Sequence, residues 1–536
     1  VLRRAWSAAA AGRGGLVLVS GEPGSGKTRL ARELVDYARI TGGGVLRGGC
    51  SELEAATPYL PFIEALRAWV HESPDDELRR AAGTAGAELA RLAPELESRI
   101  GPFPEGPELS AAEQRLRLFD GVARCLFNLS HPKGVLLFVD DLQWADQASL
   151  SLLHYLVRLI GRERVLVLGC YRETDLDRSH TLAEALDSWN RERASTRVPL
   201  RRLDADATAA MLKVLLGQSE VSDDLAASIH RETEGNPFFI EEIVKTLVDD
   251  GQIVCGTGGW CRRDSSELVL PQGVKAAIGR RLDHLSERTI EVLRTAAILG
   301  KSFDFSELAA VSDRSEDELL DAVDEAVAAQ LVETAAGETV AFTHDKIREV
   351  LYHELNPIRR RRLHYRVANA LEVLREQGGR VAVEDLAHHA MEGGCLDRGF
   401  EYAMQAAADA ARLYAYGDSL RLYERARECA EASSGRAAEL ARIDAAMGEV
   451  YALKGEPLAA ARLYERALAA TVDPAEAVRL KCLIGECYVT VGDRRALAYV
   501  AEARAALDAE TQPAEVARAS MIEARFHHYH GLSAQA

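Results

Sequence analysis

The sequence predicts a multidomain chain. It opens with an α/β domain on a parallel sheet, then continues as a helical lid, a winged helix and an all-α, tetratricopeptide-like superhelix. Three observations predict it. Short apolar runs at 16–20 (LVLVS), 45–50, 135–139, 165–170 and 197–200 alternate with segments of helical spacing, the pattern of a parallel sheet covered on both faces. The long strands stop after about Leu203, and helical segments interrupted by hairpins follow. From about Pro357 onward everything reads as helix, with a self-similar unit inside it.

In chain order, residues 1–203 form the α/β domain. The stretch at about 52–130 is too long for one crossover and is read as a helical insertion with a Pro/Gly-rich break at 101–107. Residues 204–270 form the lid: helix at 204–250, with Asp204 and Asp206 as N-cap candidates, then a hairpin at 252–263. Residues 271–355 hold short helices followed by apolar runs at 331–334 and 340–343 around Gly337, the order of a winged helix. Linker helices occupy 356–400. In the repeats, 401–536, Met447-Gly448, Tyr451, Ala460, Tyr464 and Ala467 fall at tetratricopeptide spacings, and a second copy starts at Ile484-Gly485 with Tyr488. The Gly and Ala positions let paired helices approach, and Tyr fills the groove. An Ala-rich bundle without true repeats is the alternative. The pattern breaks off at Ala536 with no polar capping helix, so a fragment of a longer protein is expected.

Composition narrows the function. The 536 residues carry 65 Lys+Arg against 83 Asp+Glu, a formal charge of −18, so the general surface is unsuited to nucleic acid. No apolar run approaches the ~20 residues of a membrane span, and no signal peptide is visible. Nine Cys are scattered without a CxxC pair, which fits a reducing cytoplasm. Cys255 and Cys261 flank a hairpin tip and are read as ordinary thiols.

Gly21-Glu22-Pro23-Gly24-Ser25-Gly26-Lys27-Thr28 fits G-x-x-x-x-G-K-[ST]. In such a loop the backbone N–H groups curl around a phosphate and the following helix points its positive end at the anion. Lys27 would reach the β/γ-phosphates and Thr28 would bind Mg²⁺. The strand before it and the helix after it supply the required context. An apolar run ending in Asp140-Asp141 is the second half: Asp140 is placed in the water shell of Mg²⁺, and Asp141 beside it as the group that orients an attacking water. An Asp pair capping the next helix is the bland reading. Asp is one methylene shorter than Glu, so slow hydrolysis is expected. Arg172, at the end of the run 165–170, lies on the ligand edge of a parallel sheet; it either senses the γ-phosphate or pairs with a neighbouring acid.

Together the loop, Asp140-Asp141-Leu142-Gln143-Trp144-Ala145-Asp146 and Tyr171-Arg172 resemble the STAND class of P-loop ATPases (ASCE type), and more closely the large ATP-binding bacterial regulators of the LuxR and SARP types. Glu234-Gly235-Asn236-Pro237-Phe238-Phe239 is similar to the class's Gly-x-Pro motif, and Phe342-Thr343-His344-Asp345 to its winged-helix His-Asp motif. The resemblance implies that Pro237 packs on the nucleotide base and His344 contacts the β-phosphate of ADP. It further implies a cytoplasmic switch controlling transcription: closed with ADP, open with ATP, assembling into a homo-oligomer, with Mg²⁺ as cofactor. An inducer or protein partner would sit on the repeats, and DNA would be met only through a domain outside this sequence. The class's apolar-Gly-Arg segment ahead of the first helix is not seen before Val1-Leu2-Arg3-Arg4. Two other readings stay open: a motor-type ATPase remodelling a partner, and a nucleotide-stabilised scaffold regulating a fused cyclase or kinase. Arg359–Arg362 with Arg366 reads as a solvated helix face, and His527, His528 and His530 as surface residues pointing in different directions.

Overall fold

In a computed structural model, which describes residues 1–51, 57–104, 109–176, 180–217, 221–250, 253–256, 259–262, 274–334, 338–379, 381–432, 437–507 and 513–529, the five apolar runs form one sheet. Strands β1 (Gly15–Gly21), β2 (Gly44–Gly49), β3 (Val135–Asp140), β4 (Val165–Arg172) and β5 (Ser195–Pro199) lie in the order β2-β3-β4-β1-β5. All neighbours are parallel. Residue alternation sends Val17, Val19, Leu136 and Phe138 to one face, against helices α1 (Leu2–Ala10) and α2 (Lys27–Ile40). Leu16, Leu18, Leu137 and Val139 go to the other face. Each large apolar side chain so buried is worth roughly 1.5–3 kcal/mol, and β3 and β4 are buried along their whole length.

The insertion comprises α3 (Leu60–Glu72), α4 (Asp75–Ala82), α5 (Gly86–Ala90), α6 (Glu95–Ile100) and α7 (Ala111–Leu129). Ser110 and Glu113 close a capping box at the start of α7. Helices α8 (Gln147–Leu159) and α9 (His180–Arg191) complete the α/β layers.

Three helices follow: α10 (Ala205–Leu216), α11 (Asp223–Thr233) and α12 (Pro237–Asp249), joined by Leu212, Ile229, Ile240, Ile243 and Leu247. Of the two cap candidates, Asp204 accepts the Ala207 N–H while Asp206 lies in the first turn. The hairpin β6 (Ile253–Gly256) and β7 (Gly259–Arg262) is antiparallel; its tip and the Cys255 and Cys261 side chains lie outside the described residues.

The next unit runs α13 (Val274–Asp283), α14 (Glu287–Leu299), β8 (Ser302–Asp304), α15 (Phe305–Val311), α16 (Glu316–Ala328), β9 (Val332–Thr334), β10 (Thr339–Phe342) and α17 (Asp345–Glu354). Its strands pair antiparallel in the order β8-β10-β9. At three residues, β8 is too short to show an alternation in sequence. A buried Arg281–Glu242 ion pair ties this unit to α12.

The remainder is a stack of helices: α18 (Pro357–Glu376), α19 (Val383–Glu392), α20 (Leu396–Arg412), α21 (Tyr416–Ala432), α22 (Ala437–Leu453), α23 (Pro457–Ala470), α24 (Pro474–Thr490), α25 (Arg495–Ala505) and α26 (Pro513–Tyr529). The expected boundary at 400/401 falls within α20, a continuous helix from Leu396; α18 packs on α19, and α19 on α20. A Cβ on Gly448 would sit 2.6 Å from the Tyr464 ring, and one on Gly485 2.7 Å from Val500, so these glycines are where the paired helices touch. The stack folds back on the α/β domain. Phe400, Tyr414, Tyr416 and Leu422 share one apolar core with Leu152, Leu153 and the sheet. Among the described residues no helix is long and apolar enough to cross a membrane.

Candidate functional site

The sheet delivers Gly21, Gly49, Asp140 and Arg172 to one edge, at the carboxyl ends of four strands, where open α/β sheets place ligands. Between β1 and α2 the chain turns through Gly24 (φ +79°) and Gly26 (φ +89°), which only glycine adopts at little cost. A side chain on Gly24 would strike Asn236 and Phe238, whereas the space in front of Gly26 is open. Gly26 is the N-cap of α2 and supplies no side-chain cap, so the first N–H groups of the helix stay available to an anion. Lys27 is buried, and its Nζ donates to the carbonyls of Gly21 (3.0 Å) and Glu22 (2.9 Å). Burial first, and Arg172 second, push the Lys27 pKa down. The Ser25 hydroxyl is buried without a partner.

Thr28 Oγ1 donates to Asp140 Oδ2 at 3.0 Å. Burial, and then the neighbouring Asp141, push the Asp140 carboxyl up from its ordinary value; a cation placed here would reverse that. Asp141 takes a left-handed conformation (φ +54°), strain of roughly 1–3 kcal/mol, held by its N–H to Asp140 Oδ1 at 3.1 Å. Its Oδ1 accepts from Gln143 Nε2 (2.8 Å) and its Oδ2 from Lys301 Nζ (3.0 Å). The Arg172 guanidinium lies 3.6 Å from Asp141 and bonds Asp345 directly, with Glu349 at 4.0 Å. Lys301 also faces Asp345 at 3.4 Å. Burial opposes the Lys301 charge, but Asp345 and Asp141 outweigh it and raise its pKa. Of the two readings of Arg172, the structure displays an ion pair, buried between units rather than on the surface.

The start of α12 packs against the loop. Asn236 Nδ2 donates to the Pro23 carbonyl (3.0 Å), and the Phe238 N–H to the Gly24 carbonyl (3.2 Å). Pro237 thereby starts α12 beside the phosphate loop. A Cβ at Gly235 would lie 1.9 Å from the Leu203 carbonyl oxygen, so this turn requires glycine. His344 caps α17: its Nδ1 accepts the Lys346 N–H at 3.1 Å. Its ring stacks on Phe238 with centroids 3.8 Å apart. Burial pushes its pKa down to about 4, so the ring is neutral near pH 7. With Nδ1 accepting, its proton sits on Nε2, a donor.

Gly24, Ser25, Gly26, Lys27, Thr28, Asp140, Asp141, Arg172, Pro237 and His344 all line one cavity of about 1540 Å³. Gly21 stands behind it, holding Lys27. The donor set fits a nucleotide: an uncapped helix start, an unpartnered buried hydroxyl, open space before Gly26 and a buried ammonium. Thr28 and Asp140 are the oxygen ligands that would hold Mg²⁺, which prefers such hard donors. The wall formed by Leu203, Met211, Val214, Leu215, Pro237 and Phe238 is apolar, as a flat base requires.

Residues 1–168 match the AAA ATPase domain family, and residues 204–255 a domain of unknown function (DUF8739). The chain is 26% identical over 503 residues to the uncharacterized protein R02095 of Rhizobium meliloti (strain 1021), covering 86% of this chain and 45% of that protein. It thus spans less than half the length of that curated relative. Among solved structures it is similar to the STAND protein with a tetratricopeptide repeat sensor PH0952 from Pyrococcus horikoshii (13% identity, TM-score 0.38, 99% of this chain and 83% of that one). It is also similar to the Walker-type ATPase PABY2304 of Pyrococcus abyssi (14%, 0.31, 65% and 93%). The family match and the loop geometry define the N-terminal region as a P-loop NTPase domain of the AAA ATPase type, followed by a largely helical region.

Sequence reasoning missed Lys301 and Gln143. Gln143 lies in the Asp140–Asp146 segment; it holds Asp141 through Nε2 and accepts the Arg172 backbone N–H through Oε1 (3.0 Å). Lys301 sits in a turn with no pattern of its own, and only the fold brings it to Asp141.

Proposed function

We propose that this chain is the nucleotide-operated portion of a signal-transduction switch, closed with ADP and opened by ATP, acting on transcription through a further domain. The observation that carries the reading is the seat of Asp141. The residue best placed to orient an attacking water is held by Lys301, from the unit that also brings Asp345 and His344. In this arrangement the base is occupied and the lid is down, so hydrolysis is slow and exchange requires the unit bearing Lys301 and His344 to lift. His344 Nε2–H is the donor for the β-phosphate, Pro237 packs on the base, and Arg172 exchanges Asp345 for the γ-phosphate on opening. A ligand moves such a two-state system only by its differential affinity for the two states. The α13–α17 unit is then a winged helix serving the switch, and the tetratricopeptide-like repeats take the inducer or partner. Opening frees surfaces for homo-oligomer formation.

Denaturing the purified protein and identifying the released nucleotide by chromatography tests this. Near-stoichiometric ADP is expected in the wild type and none in Lys27→Ala. An empty wild-type site together with turnover above roughly 1 s⁻¹, the low end for ordinary enzymes, would point to a motor-type ATPase instead.

A further inference from the structure

Away from the nucleotide, three histidines converge where α17 meets the helical stack. His364 lies on α18, and His388 and His389 are adjacent on α19. Neighbouring positions on a helix diverge by about 100°, yet one ring nitrogen from each of the three lies within 4.8 Å of the others, because His364 enters from the facing helix. Ring centroids are 5.1–5.5 Å apart. His364 and His389 are buried.

Hydrogen bonding accounts for two of the rings. The Nδ1 atoms of His364 and His389 are 2.9 Å apart, and Tyr352 Oη lies 3.2 Å from His364 Nε2. A chain from Tyr352 O–H to His364 Nε2, and from His364 Nδ1–H to His389 Nδ1, satisfies those atoms. It leaves out His388, whose buried Nε2 has no partner. A packing role alone does not explain a third imidazole placed here with an orphaned nitrogen.

We propose that His364, His388 and His389 form a binding site for a divalent transition-metal ion of the Zn²⁺ class. Three imidazoles and no carboxylate exclude the hard ions Ca²⁺ and Mg²⁺ and suit Zn²⁺, Co²⁺ or Ni²⁺. Tetrahedral coordination with Zn–N bonds of about 2.0–2.1 Å puts ligand nitrogens about 3.3 Å apart, between the 2.9 Å of the His364–His389 Nδ1 pair and the 4.8 Å limit on all three. The proton count balances. The metal takes the His364 Nδ1 lone pair, the ring proton moves to Nε2, and the bond to Tyr352 reverses so that His364 donates to Oη. That is the outer-sphere contact that orients metal-bound histidines. Burial already holds all three rings neutral at pH 7. His389 also lines the cavity that holds the phosphate loop. The guanidinium charges of Arg348, Arg360 and Arg425 act on these rings and weaken cation binding, so affinity in the micromolar range is expected, and not that of a permanent structural zinc. Tyr352 lies two helical turns beyond His344, so the ion would stiffen the joint behind the nucleotide contact.

The test uses the untagged full chain, stripped with chelator and titrated with Co²⁺. One equivalent should bind, with visible absorption bands of tetrahedral intensity that Zn²⁺ abolishes, and should raise the thermal midpoint. His388→Gln, whose Nε2 makes no bond in the metal-free protein, should unfold like the wild type without metal yet lose Co²⁺ affinity at least tenfold. His353→Gln, an exposed control, should bind normally. Absence of a saturable equivalent at micromolar Co²⁺, or binding that persists unchanged in a folded His388→Gln, would overturn the site and leave a hydrogen-bonded cluster.

Discussion

Two of the contacts that join the C-terminal half to the P-loop domain are built from opposite materials. At the ligand edge of the sheet, Lys301 and Asp345 meet Asp141 and Arg172 through charged groups, with the Lys301 side chain 41% exposed. At the back of the sheet, α21 docks on α8 through a continuous apolar core. There the buried Asp418 carboxylate accepts the N–H groups of Gln147 (3.1 Å) and Ala148 (3.0 Å). The Lys301 end of the front contact is reached by solvent and screened by salt, although Arg172, Asp141 and Asp345 are themselves largely buried. The apolar joint with its capped helix is not screened. Under the proposed switch, the front contact is the latch that would open, and the back contact the pivot.

The largest effect is expected at the pivot. Asp418→Ala leaves the buried Ala148 N–H and the part-buried Gln147 N–H at the start of α8 without this acceptor, a loss of roughly 2–3 kcal/mol. Asp418→Asn, which keeps an acceptor oxygen, should recover part of it. The thermal midpoint should fall, and amide exchange in α8 and α21 should rise together. Unchanged protection in both helices would mean that the stack is not anchored there.

At the front, Lys301→Met removes a cation from the largely buried Asp141 and Asp345 and should cost roughly 1–3 kcal/mol of stability while speeding release of bound nucleotide by about tenfold, equivalent to about 1.4 kcal/mol of barrier. Salt sharpens the test. Nucleotide release from the wild type should accelerate between low and high ionic strength, and that acceleration should shrink in Lys301→Met. Equal salt dependence in both proteins would remove Lys301 from the latch.

These contacts also mark how far the sequence was legible. The phosphate loop and Asp140 were readable because each is a local event, an apolar strand ending in a fixed turn or acid. Pro237 and His344 were placed by resemblance, and both line the cavity. Lys301 and Asp418 were invisible because they act across 160 and 271 residues of chain, through a fold-back that no periodicity records. The 400/401 boundary falls inside α20, because Leu396 opens a helix whose apolar spacing runs on to Ala410. The His364–His389 pair was missed for the same reason as Lys301: its partner is on another helix.

A pH dependence distinguishes the back contact from the front one. Asp146, the N-cap of α8, is buried beside Asp418 and accepts the N–H groups of Ser149 (2.7 Å) and Tyr59 (3.2 Å). Burial first, and Asp418 second, push its pKa up to about 7 from an ordinary 3.8. The folded state therefore binds this proton more tightly than the unfolded state. Its contribution is complete below about pH 4, declines as pH rises toward 7, and is flat above that. Asp146→Asn removes the titration and keeps an acceptor oxygen for both N–H groups. The stability of the wild type relative to Asp146→Asn should be greater at pH 5 than at pH 8, while nucleotide release from the front changes little over the same range. A difference between the two proteins that is the same at both pH values would show that Asp146 is charged in the folded state and that the pivot does not respond to protons.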